Sequence, residues 1–497
     1  MKTFIFSLAF LSSVTFSYAQ ILTSSPYSRY GLGEMNLQAF ATPAAMGGSF
    51  IAYHQDTIAP FFINSANPAG LAGIRLTTLE LGGQAQFTKI SNTDAAIRKK
   101  NINFSYGSLG FPLKRWGGAA FGIMPYSTVG YKINSTQEVA GVGTMDYVFQ
   151  GDGGINKVFL GTGLKPFRRQ AYKFQISDRA DTLVKYKETA KYKRIKFGKQ
   201  LLSEFSFGVT GNYLFGTINQ TTDVIYPGSI TYFNSKRQRA IQINDFTFNG
   251  GLQTHFTIDS TRVRGKKYRE KYKMYSPDSV VHYRKNRELK QKIKIGVGFF
   301  VNTPAAVSAK QSNIIYNYAI DGFGVERPKD TVLNSQDVAG TITLPLEMGL
   351  GLSIKKGEKL TVLFDAATTN WQDFKYFDAK STDFKNSYRV SAGLNYTPNK
   401  LAFGSSNYIK RVQYRLGVSY SDGYLDLKNT PISNAFISAG LGLPVGIGRF
   451  DDIAMINISA QYGKMGTVTN NLLQEEYVRL VLGFTFNKRW FVKYKYD

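Results

Sequence analysis

The chain has 497 residues, a formal net charge of +27, 48 glycines, 31 tyrosines, 37 phenylalanines and no cysteine. The lack of cysteine excludes disulfides, thiolate metal sites and an acylated N-terminal cysteine. A basic excess of this size is typical of nucleic-acid binding, but the N-terminus indicates export, so no nucleic-acid partner is expected.

The N-terminus has the pattern of a secretory signal peptide over residues 1–19. Lys2 precedes an apolar stretch from Phe4 to about Phe16, and Ser17-Tyr18-Ala19 forms a small-x-small cleavage pattern before Gln20. No later apolar run approaches the ~20 residues of a spanning helix. An exported chain rich in glycine and aromatic residues, without such helices, favours a transmembrane β-barrel.

Residues 20–74 show little periodicity and are predicted to form a plug, or hatch, inside the barrel lumen. Small residues surround two turns in this stretch, Pro43-Ala44-Ala45-Met46-Gly47-Gly48 and Asn64-Ser65-Ala66-Asn67-Pro68-Ala69-Gly70. Proline fixes φ and disfavours the helical region for the residue before it. This composition suits backbone packed in a confined space. An ordinary N-terminal loop is the alternative.

Residues 75–487 are predicted to be the barrel wall because an apolar set and a small or polar set alternate there with period 2. Phe207, Val209 and Tyr213 alternate with Ser206, Gly208 and Thr210, and similar runs surround Leu416 and Phe484. We expect the apolar set to face lipid and the other set to face a lumen. A secreted all-β adhesin is the soluble alternative.

Fourteen such runs are found, and an even number closes an antiparallel barrel with both termini at the periplasmic end. The candidate strands are residues 76–89, 101–112, 116–133, 154–165, 204–217, 240–257, 292–302, 341–354, 359–369, 386–397, 408–421, 433–444, 452–463 and 476–487. The glycine-rich run from Gly151 to Asn156 is predicted to be a turn or bulge that enters the fourth strand.

The order of several motifs resembles the FadL/TodX family of outer-membrane transporters for hydrophobic molecules, and in particular its branch in Bacteroidota. The motifs are Asn67-Pro68-Ala69, Ser25-Pro26-Tyr27-Ser28-Arg29-Tyr30-Gly31, Gly151-Asp152-Gly153-Gly154-Ile155-Asn156, Thr343-Leu344-Pro345, Trp371-Gln372-Asp373-Phe374 and the ending Trp490-Phe491-Val492-Lys493-Tyr494-Lys495-Tyr496-Asp497. The resemblance implies an outer-membrane, 14-stranded antiparallel β-barrel with an internal plug.

The resemblance also implies passive uptake of hydrophobic or amphipathic small molecules of the long-chain fatty-acid type, without a cofactor. The plug would act as the gate, and the candidate ligand or gating residues in it are Met46, Gly47, Gly48, Asn67, Pro68 and Ala69. Lipid of the outer membrane and a hydrophobic small molecule are the expected partners. Because a fold does not fix a function, this assignment is an analogy.

Three arginines fall on the inward set of their strands and are candidate ligand residues: Arg389, Arg415 and Arg479. A guanidinium can pair with a carboxylate head group. Glu80 and Glu347 lie on the same inward set. The arginines could instead pair with these glutamates or with plug carbonyls, since buried charges are nearly always paired.

Two inserts, residues 168–199 and 259–292, are strongly basic, with eleven Lys and Arg against three acids and twelve against four. Both interrupt connections expected at the periplasmic end, where barrels keep turns short. The candidate docking residues for a membrane or periplasmic protein are Arg168, Arg169, Lys185, Lys191, Lys193, Arg194, Lys266, Lys267 and Arg269. Residues 488–497 add a basic aromatic tail. The alternative is a solvated extension that only keeps the protein soluble.

The sequence offers no enzyme site that can be defended. His54, His255 and His282 lie in different predicted regions without the spacing of a zinc site. No Gly-x-Ser-x-Gly elbow or thiol nucleophile is present. The two hypotheses that remain are a passive channel and, as the alternative, a non-transporting accessory barrel of an outer-membrane protein secretion or assembly complex.

Overall fold

The structure is a computed structural model that describes most of the mature chain. The described residues are 23–36, 40–54, 62–113, 116–167, 201–227, 232–259, 268–276, 279–287, 292–400, 402, 407–446 and 453–488. The predicted signal peptide and most of the C-terminal tail lie outside them. Among the described residues, no helix has the length and apolar character needed to cross a membrane.

Eighteen longer strands are numbered in chain order. They are β1 (Thr77–Ser91), β2 (Ala96–Leu113), β3 (Gly117–Val139), β4 (Gly143–Leu164), β5 (Ser206–Ile225), β6 (Asn234–Asp259), β7 (Tyr268–Ser276), β8 (Ser279–Arg287), β9 (Lys292–Asn302), β10 (Ala305–Ile320), β11 (Glu326–Leu344), β12 (Glu347–Lys356), β13 (Leu360–Thr369), β14 (Ser387–Tyr396), β15 (Gln413–Ser421), β16 (Asn434–Gly446), β17 (Ile453–Gly466) and β18 (Gln474–Lys488).

The minor elements are short. Strand pieces cover Glu34–Met35, Lys375–Tyr376, Ala379–Lys380, Asp426–Leu427 and Thr430–Pro431. Short helices or 3-10 turns cover Pro26–Arg29, Ala41–Ala44, Pro68–Gly73, Trp371–Asp373, Tyr408–Arg411 and Thr469–Asn471. The run at 408–421 was predicted as strand throughout, but its first residues form a helical turn and β15 begins at Gln413.

The strands form a closed antiparallel barrel of fourteen wall strands. Two of these are each made of two consecutive segments, β9 with β10 and β11 with β12, and β7 and β8 form a separate hairpin. Each wall strand pairs with the next along the chain, and β1 pairs with β18 from Thr77 opposite Lys488 to Ser91 opposite Gln474, which closes the cylinder. Both ends of the wall therefore lie at one rim, which we call the basal end; the opposite rim is the distal end. The fourteen-stranded antiparallel barrel predicted from the sequence is confirmed.

Two neighbouring wall strands are interrupted by proline at the same level. β9 continues into β10 across Thr303-Pro304, and β11 continues into β12 across Pro345-Leu346. Asn302 pairs with Glu347 and Ala305 pairs with Leu344, so the two breaks lie opposite each other. Proline cannot donate a ladder hydrogen bond. The hydrogen-bond ladder between these two wall strands is therefore locally interrupted.

The side chains alternate as the sequence predicts. Leu416, Phe484 and Val209 point outward and are 58%, 42% and 51% exposed. Ser206, Thr210 and Asn212 of β5 point inward and are buried. An outward apolar face is the surface that a bilayer covers, and the soluble adhesin alternative does not explain it.

The wall is much taller on one side than the sequence predicts. β3, β4, β5 and β6 have 23, 22, 20 and 26 residues, whereas β12 to β15 have nine or ten. A membrane strand needs only about 9–11 residues. With β10 and β11, the tall strands form a distal sheet that projects beyond the barrel. Its strands carry polar residues on both faces and therefore lack the apolar alternation from which the wall strands were predicted.

The N-terminal residues 23–76, where described, lie inside the barrel; we call them the luminal segment. A Cβ added to Gly417 of β15 would lie 2.0 Å from the Gly47 nitrogen, and one added to Gly208 of β5 would lie 2.3 Å from the Pro68 carbonyl carbon. Both glycines lie on the inward set. Small residues on both sides thus let backbone pack directly on backbone.

The wall is open between β2 and β3 in its distal half. These strands pair only from Gly107 opposite Ile123 to Leu113 opposite Gly117. Beyond Ile123, β3 bends into the lumen, and residues 125–131 are nearly all buried whichever way they point. Its freed edge pairs instead with Glu34–Met35 of the luminal segment. Among the described residues, no strand takes the place of β3 beside residues 96–106.

A β-bulge begins this bend. The β3–β4 register shifts between Pro125 and Ser127, which lie opposite Asn156 and Ile155, so Tyr126 of β3 is the extra residue. The next two residues along the ladder on β4, Gly154 and Gly153, have φ angles of +153° and +98°. These are conformations that glycine adopts readily and other residues rarely. The glycine-rich run, predicted to be a turn or bulge that enters the fourth strand, instead lies in the middle of β4, beside a bulge whose extra residue belongs to β3.

Candidate functional site

A cavity of about 300 Å³ lies inside the barrel on the distal side of the luminal segment. Apolar side chains from the segment and the wall line one part of it, including Phe40, Phe50, Met124 and Phe300. Polar and charged side chains line the rest. The mixture is that of a site for an amphipathic molecule.

The distal connections close over this cavity. Trp371, Phe374 and Phe384 from the β13–β14 connection pack with Leu425 and Leu472 from the next two distal connections. Tyr27 and Leu32 of the luminal segment belong to the same buried cluster. The Trp371 and Tyr424 rings stack with centroids 4.3 Å apart. This aromatic cap buries the start of the luminal segment under the distal rim.

Three cationic side chains line the cavity, and they differ in their pairing. Arg479 Nη2 lies 3.2 Å from Glu34 Oε1, and its Nε donates to Gln86 Oε1 at 2.9 Å. Arg389 Nη2 lies 3.7 Å from Glu347 Oε1, which is too long for a hydrogen bond. The Arg389 Nη1 atom is buried without a hydrogen-bond partner among the described residues.

The third cation, Lys157 of β4, makes no ion pair with any described residue and lines the same cavity. Lys157 is not among the inward arginines predicted from the sequence. Its signal was nevertheless present in the sequence, because Val158 and Leu160 face outward and an odd-numbered neighbour must face inward. Lys157 and Arg389 share one acidic neighbour, Glu347, so this part of the cavity keeps a net positive charge.

Arg415 lies outside the cavity, in a separate buried network. Its guanidinium donates to Asn457 Oδ1 and to Gln413 Oε1, both at 2.7 Å. Glu80 accepts hydrogen bonds from the backbone nitrogen of Ile63 and from Thr485 Oγ1, both at 2.9 Å. The alternative of internal pairing therefore describes Arg389 with Glu347, while the hydrogen bonds of Glu80 go to the luminal segment and to Thr485.

The six candidates in the luminal segment do not line the cavity; they pack against the wall. Gly47 N donates to Ser438 Oγ at 2.9 Å, and the Asn67 amide donates to the Ile51 carbonyl at 2.7 Å. The side-chain oxygen Oδ1 of Asn67 also accepts from Ala69 N at 3.2 Å, capping the turn Pro68–Gly73. The remaining candidates, Met46, Gly48 and Pro68, are buried too. These residues anchor the segment.

Two histidines expected to lie apart meet at the basal end. The rings of His54 in the luminal segment and His255 in β6 stack with centroids 4.1 Å apart. His255 Nε2 lies 3.0 Å from Glu204 Oε2, and Lys165 Nζ donates to the same oxygen at 3.2 Å. Burial by itself would raise the pKa of Glu204, but the hydrogen bonds and charges of His255 and Lys165 outweigh it and lower this pKa to about 2.

This cluster is not a metal centre. No group of three or more His, Asp or Glu in the described part of the chain has the arrangement to hold a metal ion. The sequence missed the contact because His54 and His255 are separated by about two hundred residues and only the closed barrel brings them together.

The docking candidates cannot be placed. Arg168, Arg169, Lys185, Lys191, Lys193, Arg194, Lys266 and Lys267 lie outside the described residues. Of Arg269 only the backbone is described, in the hairpin of β7 and β8, where it pairs with Asn286. The docking role of both inserts remains a prediction.

Several solved structures resemble this fold at low sequence identity. The toluene transporter TodX of P. putida has a TM-score of 0.48 and 13% identity, with 91% of this chain and 98% of that chain covered. The toluene transporter TbuX of Ralstonia pickettii has a TM-score of 0.47, 13% identity and coverage of 91% and 100%. A FadL homologue of Pseudomonas aeruginosa has a TM-score of 0.46, 12% identity and coverage of 95% and 100%.

Identities of this size do not carry a ligand or an activity from one chain to another. The FadL/TodX resemblance expected from the motifs thus reappears among the solved structures, and the Bacteroidota branch stays a prediction. A search of curated protein sequences found no match. One family model, BamG, which is a different family from FadL and TodX, matches residues 1–176 and 264–497. Because this match covers most of the sequence, the chain belongs to the BamG family.

Proposed function

We propose that this protein is an outer-membrane channel for passive uptake of hydrophobic or amphipathic small molecules, of the long-chain fatty-acid type. The observation that carries the proposal is the pairing of an amphipathic cavity with an opening in the wall beside it. Phe40 and Met124 line the cavity. Phe40 also packs on Tyr106 of β2, at a centroid distance of 4.3 Å, where β2 and β3 separate. A ligand would move between bilayer and cavity through this opening.

The charges of the cavity suggest how a ligand would lie. An acidic head group would sit between Lys157 and Arg389, whose positive charge is not fully neutralised, and the apolar chain would lie against Phe50 and Phe300. A charge-assisted hydrogen bond of this kind contributes about 1.5–3 kcal/mol. A neutral ligand of the same shape would lose that contribution and keep the apolar contacts.

The gate in this proposal is the part of the luminal segment that pairs with β3. Met46 to Gly48 and Asn67 to Ala69 are seated on wall glycines and would stay in place as anchors. Residues 28–36 are attached to β3 through Glu34–Met35 and through Asn36 N, which donates to the Tyr126 carbonyl at 3.0 Å. Release of these bonds, together with the Glu34–Arg479 ion pair and the hydrogen bonds of Ser28 with Gly130, would let the opening widen without expelling the whole segment.

Binding of dodecanoate and of dodecanol to the purified barrel tests the proposal. Lys157→Met is expected to weaken dodecanoate binding about tenfold, equivalent to about 1.4 kcal/mol, and to leave dodecanol binding unchanged. Lys329→Met, at an exposed site on β11, is the matched control. Equal loss for both ligands, or no saturable binding to the wild-type barrel, would reject the proposal.

A second candidate is an accessory barrel of a protein secretion or assembly complex that does not itself transport. Membership of the BamG family, separate from the family of the channels that share the fold, supports keeping it. The basic inserts, 168–199 and 259–292, also support it. Both connect wall strands at the basal end, where a periplasmic partner would approach. An anionic protein surface or phospholipid head groups would complement their charge.

Purification from native membranes in gentle detergent tests the second candidate. We expect partners in fixed stoichiometry that are lost when either insert is replaced by a tight turn. Recovery of the barrel alone, together with a fatty-acid uptake defect in cells lacking it, would favour the channel instead.

A further inference from the structure

The distal sheet ends in an exposed apolar tip, formed by two neighbouring connections. Phe323, between β10 and β11, is 93% exposed, and Ile320 and Val325 beside it are about half exposed. Tyr232 and Phe233, between β5 and β6, are also exposed. Asn234, which follows them, pairs with Tyr318, so the two connections lie at the same height.

A single carboxylate fixes the turn that presents Phe323. Asp321 Oδ1 accepts hydrogen bonds from the backbone nitrogens of Phe323 and Val325, at 3.0 and 2.9 Å. Asp321 Oδ2 accepts one from Arg327 Nε at 3.0 Å. These bonds, first that from Val325, lower the pKa of Asp321 below its usual value. Gly324 completes the turn with φ +80°. An exposed ring on a fixed turn loses little conformational entropy on binding.

Lipid of the protein's own membrane cannot cover this tip. The outward aromatic residues of β6, Phe246 and Phe248, mark the apolar belt. Above them Ile243 and Ile241 are buried, the exposed positions of the strand carry Asn244, Gln242, Gln238 and Arg237, and exposed apolar side chains return only at Phe233. β10 has 16 residues, so at ~3.3 Å per residue the tip stands about 50 Å along the strand beyond the break at Pro304.

The nearby sheet edge is poorly suited to strand addition. The β10–β11 register shifts three times, between Gln311 and Asn313, Ile315 and Tyr316, and Asn317 and Tyr318. Pro328 lies on the edge strand, and Asp337 has φ +52°. Bulges and proline protect an edge against pairing with another strand. A partner would therefore engage side chains at the tip and not the backbone of β11.

We propose that this tip docks a folded protein on the distal side of the membrane, whose apolar pocket receives the ring of Phe323. Aromatic anchors that enter pockets are the usual centres of protein interfaces. Ile320, Val325 and Phe233 would form the rim of the contact. The inference does not depend on the proposed uptake function, since the tip is remote from the cavity; it rests on the expected orientation with both termini in the periplasm.

Cysteine labelling in intact cells tests the proposal, because the chain has no native cysteine. Gly322→Cys places a reporter beside Phe323 without a clash, since a Cβ there has nothing within 4 Å. Asn334→Cys, exposed on the same hairpin, is the control. We expect a membrane-impermeant maleimide to modify Cys at 322 at least tenfold more slowly than Cys at 334 in cells, and at the same rate in the purified barrel.

Adding Phe323→Ser to the Gly322→Cys variant should restore fast labelling in cells, while dodecanoate binding stays unchanged. Equal labelling of the two reporters in cells would overturn the proposal. Protection that persists without Phe323 would do so too, because a saccharide layer would then be the cover. A photo-crosslinking phenylalanine analogue at position 323 should trap one protein adduct that Ile320→Asp abolishes; a lipid or saccharide adduct would reject a protein partner.

Discussion

Single carboxylates fasten the luminal segment to the wall. Asp365 of β13 is buried, and its Oδ2 accepts the backbone nitrogens of Phe50 and Ile51 at 2.7 and 2.8 Å. Glu80 does the same for Ile63 from the other side of the barrel. Buried backbone donors need a hydrogen-bond acceptor, so an inward carboxylate that meets two of them is strongly favoured.

Asp365→Asn is expected to lower the stability of the barrel by about 1–2 kcal/mol, because a neutral acceptor replaces a charged one. The thermal unfolding midpoint of the purified barrel measures the effect. Asp373→Asn, an exposed acid in the next connection, should leave the midpoint unchanged. Equal midpoints for the wild type and Asp365→Asn would show that the two hydrogen bonds contribute nothing.

The Glu204 contact should make stability depend on pH at the acid end. The pKa of Glu204 falls from an ordinary 4.5 to about 2 in the folded chain. A lowered pKa means that the stabilisation is complete above pH 4.5 and is lost as the pH falls toward 2. The unfolding midpoint of Glu204→Gln should therefore lie below that of the wild type at neutral pH, and the difference should shrink over this range. A difference that stays constant down to pH 2 would contradict this account.

At the scale of elements, the strands are shaped by what packs on each face. Inward glycines occur where the luminal segment touches the wall, and outward positions keep large apolar side chains. β5 has a glycine on each face. The inward Gly208 meets the backbone of Pro68, whereas a Cβ on the outward Gly211 would only touch the Phe248 ring at 3.6 Å. The two glycines therefore have different tolerances for a methyl group.

Gly208→Ala should disturb the seating of the luminal segment, and Gly211→Ala should not. The added methyl of the first variant would lie 2.3 Å from the Pro68 carbonyl carbon, so the backbone of the segment must shift. Faster limited proteolysis within residues 62–76, with the barrel still heat-modifiable on gels, is the expected result. If both variants resist protease equally, the segment is not held by this contact.

At the scale of the whole molecule, the barrel is a closed cylinder that does not need its basal inserts. β4 and β5 pair without a gap from Asp146 opposite Ile225 to Leu164 opposite Phe207. The segment between them leaves the wall only below this ladder. The same holds for β6 and β9, which pair from Asn249 opposite Asn302 to Asp259 opposite Lys292.

Replacing residues 168–199 by a tight turn should therefore leave the barrel intact. The shortened protein is expected to reach the outer membrane, stay heat-modifiable and unfold at the same temperature as the wild type, because no wall pairing is removed. A barrel that fails to assemble would show that the insert acts in folding and not in docking. Replacing residues 260–291, which spares the Asp259–Lys292 wall pair, provides a second, independent test.

The sequence by itself determined the barrel. Alternation with period 2 is a local property of the sequence around residues such as Leu416 and Phe484. In an exported chain without spanning helices, a closed wall in lipid satisfies it. The same parity placed Arg389 and Arg479 in the lumen. It also places Lys157 there, next to the outward Val158.

Only the tertiary structure decided which inward residues meet. Arg389 and Arg479 share a cavity while Arg415 does not, because the luminal segment divides the lumen, and no periodicity reveals where it lies. The contact of His54 with His255, the bend of β3 away from β2 and the height of the distal sheet also depend on packing between distant parts of the chain. Strands with polar side chains on both faces lack the alternation that predicts a strand. The distal sheet, and with it the exposed tip at Phe323, could therefore not be predicted from the sequence.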